Sequence, residues 1–162
     1  MFVNNIEHRY EDFCLDIKNI EFKNNSVIGL VGENGGGKTT LMNILSGEMI
    51  ANGRCSVKED LVASDRIMIY SDLEVYDYLT VEEFLGFVIK YNETQKDVEE
   101  LLEILGLSDK RKSLIEELSL GMKKKLTLTP LFVREYDYIF LDEPFNSIDL
   151  NYIYRLKELM KI

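Results

Sequence analysis

The sequence predicts an α/β fold built on a parallel sheet, and two apolar runs with their sequels carry that prediction. Val27-Ile28-Gly29-Leu30-Val31 is short and apolar, as befits a strand buried on both faces. It leads into a glycine-rich octapeptide, after which Thr39–Leu45 spaces Leu41, Ile44 and Leu45 as one face of a helix. Far downstream, Tyr138-Ile139-Phe140-Leu141 repeats the strand pattern and ends in Asp142-Glu143-Pro144. A third strand reads Arg66-Ile67-Met68-Ile69-Tyr70. Asn52-Gly53 marks a turn between strands, and with it an antiparallel β piece near the N-terminus beside the core.

The segment 73–117 has the 3.6-residue period of helices. Thr80 and Glu83 stand at capping-box spacing before Phe84, Leu85 and Val88. A second helix is predicted over Thr94–Leu105, with Val98, Leu101, Leu102 and Leu105 inward and Gly106 as its stop. Ser113 and Glu116 form another capping-box pair. Phe84, Phe87 and Tyr91 read either as core or as a partner-facing surface. Pro130 lies where a helix should still be running, so a kink or an end is expected near Thr129.

The octapeptide Gly32-Glu33-Asn34-Gly35-Gly36-Gly37-Lys38-Thr39 fits G-x-x-x-x-G-K-[ST], a phosphate-binding loop. Its glycines let backbone N–H groups close on phosphate oxygens, and the following helix adds its positive N-terminal end. Lys38 supplies a point charge for the terminal phosphates and the Thr39 hydroxyl a ligand for Mg²⁺. Gly32, Asn34, Gly35, Gly37, Lys38, Thr39 and Thr40 are therefore the candidate nucleotide contacts. A strand delivers its terminal carboxylates to the carboxyl edge of the sheet, where ligands bind in open α/β folds. Asp142 is the candidate Mg²⁺ residue there, and Glu143 the general base that polarises an attacking water.

Bulk properties narrow the choices. A chain of 162 residues makes one domain with a real core. Its 19 Lys and Arg against 29 Asp and Glu give a formal net charge of −10, which argues against a broad nucleic-acid surface. No apolar run approaches the ~18 residues of a membrane span, and no signal-peptide pattern opens the sequence. Cys14 and Cys55 have no metal-ligand spacing, so a reducing, cytosolic setting is the default. Lys123, Lys124 and Lys125 read as the solvated face of a helix.

Leu118-Ser119-Leu120-Gly121-Met122, lying between the two sites, makes the pattern specific: the chain resembles the ATP-binding subunit of an ABC transporter. Ser119 and Gly121 match the serine and second glycine of that family's signature, with Leu120 in place of its first glycine. Ser147-Ile148-Asp149 matches the loop after the catalytic carboxylate. The resemblance spans the chain to Ile162 and implies one ABC-type ATP-binding domain over 1–162: a P-loop NTPase core with an inserted helical subdomain at about 73–134. It also implies that Tyr10, or failing that Phe13, stacks on adenine, and that Asp72 occupies the position of a Mg²⁺-contacting glutamine.

The implied cofactors are ATP and Mg²⁺. The implied partners are a transmembrane permease subunit and a second nucleotide-binding domain, whose head-to-tail pairing would bring Ser119 and Gly121 to the γ-phosphate held by the partner domain. The implied location is cytoplasmic, peripheral on the inner face of the membrane through the permease. The family pattern continues past its Asp loop into a further strand ending in histidine, which this sequence does not contain; its only histidine is His8. Without C-terminal core strands, Val27–Val31 and Tyr138–Leu141 are each expected to lack a neighbour. Three readings follow: the energy-coupling ATPase of a transporter, a non-transport ABC ATPase, or a degenerate nucleotide-binding or regulatory module.

Overall fold

The computed structural model describes residues 2–23, 25–57, 65–70 and 76–160, which group into two compact units. The first comprises residues 1–68 and 136–142, the second residues 69–135 and 143–162.

In the first unit, β1 (Phe2–Arg9) pairs antiparallel with β2 (Cys14–Glu21) on one side and with β3 (Cys55–Val57) on the other. The inward-facing residues of β2 run Leu15, Ile17 and then Ile20, a step of three across Asn19, whose φ of 55° is left-handed. Opposite, β1 makes the same step between Ile6 and Val3, both fully buried. Asparagine tolerates this conformation, and the paired irregularity keeps both strands facing the core. Asn52-Gly53 does not turn between consecutive strands as expected. The Asn52 side chain instead accepts from Arg9 N–H at 2.8 Å and donates to Arg9 C=O at 2.7 Å, extending the pairing of β1 ahead of β3.

Helix α1 (Lys38–Ser46) covers this sheet, and Leu41, Ile44 and Leu45 join Val3, Ile6 and Leu15 in one core. Near its end, Arg66 Nη1 donates to Leu45 O at 2.9 Å. β4 (Arg66–Ile69) and β5 (Tyr138–Leu141) form a second, parallel sheet. The expected strand Val27–Val31 joins neither sheet: among the described residues it has no ladder, and Val31 is 96% exposed. Apolarity alone cannot make a strand; the backbone groups need a neighbour to bond.

The second unit is helical. α2 (Val81–Asn92) opens on the expected capping box, with Thr80 Oγ1 accepting from Glu83 N–H and the Glu83 carboxylate accepting from Thr80 N–H at 2.8 Å. α3 (Val98–Leu105) starts later than the expected Thr94, because Asp97 caps it through Glu100 N–H at 2.8 Å. Gly106 at φ 63° does end it. The expected Ser113–Glu116 pair is displaced by one: Glu117 accepts from Leu114 N–H, ahead of the short turn Ile115–Glu117.

α4 (Leu120–Thr127) stops before the proline, and Pro130 begins the separate short helix α5 (Pro130–Val133). α6 (Leu150–Met160) closes the described chain. Leu85, Leu101, Leu102, Leu105, Ile115 and Leu126 are fully buried together. Phe84 packs against that core, whereas Phe87 and Tyr91 are exposed. The three lysines do not share a solvated face. Successive helical residues point about 100° apart, so Lys124 is buried, Lys125 is largely covered, and Lys123 pairs with Asp77 at 2.6 Å.

Leu101→Ala should cost ~2–5 kcal/mol in urea denaturation, while Leu159→Ala, at an exposed position, should stay within about 0.5 kcal/mol. Thr80→Ala should cost about 1 kcal/mol through the lost cap. Equal effects of the two leucine changes would contradict the core assignment.

Candidate functional site

The glycine-rich loop precedes α1, and its last glycine has a specific reason to be glycine. Gly37 takes φ 83° as the residue before the helix, and a Cβ there would lie 2.9 Å from Leu15 Cδ1 and 3.0 Å from Phe13 Cζ. The backbone angle disfavours a side chain, and a Cβ would also push the Leu15 and Phe13 side chains aside. Gly32 and Asn34 lie in the exposed loop, and Gly35 is also left-handed at φ 79°.

Lys38 lies back over this loop. Its Nζ donates to Gly32 O at 2.9 Å and Glu33 O at 2.7 Å, so the ammonium sits within the turn. Thr39 Oγ1 donates to Asp142 Oδ2 at 2.7 Å, bringing the first turn of α1 to the end of β5. A hydroxyl and a carboxylate oxygen in contact are a hard, all-oxygen donor pair. That chemistry fits Mg²⁺, which takes one or two protein oxygens and fills its remaining positions with water and phosphate.

Tyr10 follows β1, half exposed at 47%. Its hydroxyl is 3.2 Å from Thr40 Oγ1. Its ring is stacked with Phe13 at 6.5 Å and meets the edge of buried His8 at 4.8 Å. Tyr10 and Phe13, weighed against each other from sequence, thus stand together, Phe13 against Gly37 at the helix cap and Tyr10 reaching Thr40 in its first turn. Asp72 lies outside the described residues.

Three further candidates belong to the second unit. Ser119 is the N-cap of α4, its Oγ accepting from Met122 N–H at 3.3 Å, and is itself exposed. Gly121 lies in the first turn of that helix. Glu143 is exposed and left-handed at φ 47°, a strained angle for a residue with a side chain. Its carboxylate accepts from Asn146 Nδ2 at 2.6 Å. Sequence reasoning missed Asn146, whose amide direction no spacing rule specifies.

Asp149 also exceeds its sequence reading. Its Oδ1 accepts from Tyr152 N–H at 2.8 Å and its Oδ2 lies 3.1 Å from Lys125 Nζ. The backbone N–H and then the ammonium hold its carboxyl below the usual aspartate range.

The profile of the ABC transporter family matches residues 15–146. The chain is 29% identical to the taurine import ATP-binding protein of Roseobacter denitrificans, over 91% of this chain and 60% of that protein. It is 30% identical to the energy-coupling factor transporter ATP-binding protein of Thermotoga maritima, over 91% of this chain and 61% of that one. It therefore spans about three-fifths of the length of these relatives. A solved structure of an ATP-binding subunit of an ABC transporter has the same fold, with a TM-score of 0.78 at 24% identity, covering 98% of this chain and 72% of that one.

A carboxyl whose folded pKa is depressed stabilises the fold above its unfolded pKa, and that contribution fades as pH falls through the folded value. The melting temperature should accordingly drop below about pH 4, with a smaller drop in Asp149→Asn than in the parent. Parallel pH profiles for the two proteins would contradict the carboxylate contacts at Asp149.

Proposed function

The chain belongs to the ABC transporter family, and on that footing we propose that it is an energy-coupling subunit that binds Mg²⁺-ATP and hydrolyses it to ADP and phosphate. The observation that carries this reading is the cradle of the first unit, where Lys38 lies over the glycine loop and Thr39 contacts Asp142 at 2.7 Å. Backbone N–H groups of residues 35–39 and the end of α1 would bind the phosphates, and the Lys38 ammonium would exchange its carbonyl partners for phosphate oxygens. Tyr10, backed by Phe13, would stack on the adenine.

Thr39 and Asp142 would hold Mg²⁺, and Asp72 is proposed as a further contact from its sequence position. When bound, the ion neutralises charge developing on the phosphate oxygens. Glu143, next in the chain after Asp142, would take the proton of the attacking water. Little covalent chemistry falls to the protein, which contributes positioning and charge.

Ser119 and Gly121 would serve a second ATP-binding domain in a sandwich dimer. The exposure of Ser119 and Leu120 supports a contact to another chain. No helix among the described residues is long and apolar enough to cross a membrane; the proposed transport partner is a transmembrane permease subunit, in line with the import and transporter ATP-binding proteins this chain resembles. The exposed aromatics Phe87 and Tyr91, one turn apart on α2, support a docking face for that partner. A second reading, a module that binds nucleotide without turnover, draws support from the unpaired Val27–Val31 run that leads into the cradle.

Saturating Mg²⁺-ATP should raise the melting temperature by several degrees, and Lys38→Ala should abolish that rise. No rise in the parent protein would contradict an ATP site, and an unchanged rise in the variant would place it elsewhere. Glu143→Gln should retain binding, lose turnover and accumulate as an ATP-bound dimer on size exclusion. Native turnover in that variant would remove Glu143 as the base, and absence of turnover in the parent would favour the second reading.

A further inference from the structure

The loop from Glu143 to Asp149 is strained, and the strain is held from outside it. Glu143 at φ 47° and Ser147 at φ 66° are both left-handed without being glycine. Such angles persist only where surrounding contacts over-determine them. Within the loop, Asn146 bonds the Glu143 carboxylate and its N–H reaches Glu143 O at 3.3 Å, while Ile148 is buried.

The external contacts come from one face of α4. Gly121 and Lys125 are four residues apart and so lie above one another on the helix. A Cβ on Gly121 would sit 2.4 Å from Ser147 O, so only glycine allows the loop backbone this close. One turn on, Lys125 Nζ is 3.1 Å from Asp149 Oδ2 and 4.3 Å from the centroid of the Tyr152 ring. Its side chain is only 13% exposed, which strengthens both the ion pair and the cation–π contact over those of a solvated lysine. Asp149 in turn caps α6 through Tyr152 N–H.

We propose that Lys125 is a positioning residue, whose ammonium clamps Asp149 and thereby holds the Glu143–Asp149 loop on α4 in the strained form that aims the Glu143 carboxylate. This rests on the reading of Glu143 as the base. The consequence is that the helix opening at Ser119 and the loop carrying Glu143 move as one body, so displacement of the signature end is transmitted to the base. Asn146 is the inner link of the same chain.

Hydrogen exchange of the full chain followed residue by residue tests the clamp without requiring turnover. Lys125→Met keeps most of the stem over Tyr152 but removes the charge. It should speed exchange of the Asn146 and Ile148 amides several-fold and leave those of Leu85 and Leu101 unchanged, and Lys125→Arg should restore protection. In ATPase assays Lys125→Met should lower kcat without changing KM for ATP, and adding Asn146→Ala should lower kcat by less than the product of the single effects. Unchanged loop exchange in Lys125→Met overturns the proposal. Faster exchange spread equally to Leu85 and Leu101 overturns it too, marking a purely structural lysine. If the parent hydrolyses no ATP, the assignment of Glu143 fails while the exchange data still decide the clamp.

Discussion

The hydrogen bond from Thr39 Oγ1 to Asp142 Oδ2 joins residues 103 positions apart, and the chemistry proposed for this protein depends on that closure. It brings the first turn of α1 to the carboxyl end of β5. It is possible only because α1 is anchored by Leu41, Ile44 and Leu45 on the β1–β2–β3 sheet, with Tyr138 and Phe140 of β5 packed on the same core. The sheet sets the helix, the helix sets the loop, and the loop presents Lys38. At Gly37 the left-handed backbone closes the loop onto the helix, with the Phe13 and Leu15 side chains packed directly against it.

Strain and close approach recur where function is proposed. Gly37 in the first unit and Gly121 in the second both stand where a side chain would strike a neighbour. Glu143 and Ser147 hold left-handed angles between them and the α6 cap. The well-formed helices elsewhere follow ordinary rules of capping and burial, as the Thr80–Glu83 box shows.

Much of this was legible in the sequence. Lys38, Thr39 and Asp142 could be matched because their chemistry demands fixed residue types at fixed spacing, and α1 and α2 carried both periodicity and end signals. What failed had physical reasons. Val27–Val31 reads as a strand because side chains advertise burial, but strand formation also needs a neighbour, which composition cannot supply. The lysine run was misread because charge was taken as exposure, whereas three consecutive helical positions cannot all face solvent on a packed helix. The helix expected from Thr94 begins only at Val98 because the apolar period does not mark a start, whereas the Asp97 cap does. The contacts of Lys125 and Asn146 link residues by tertiary geometry or by a side-chain direction that no pattern specifies.

The central claim is that the glycine loop and Asp142 together bind a Mg²⁺-nucleotide. Calorimetric titration of ATP, with and without Mg²⁺, into the parent protein and Asp142→Asn tests it most directly. The account predicts tighter binding with Mg²⁺ in the parent and loss of most of that Mg²⁺ dependence in the variant, with metal-free affinity retained. An equal Mg²⁺ enhancement in both proteins would contradict it.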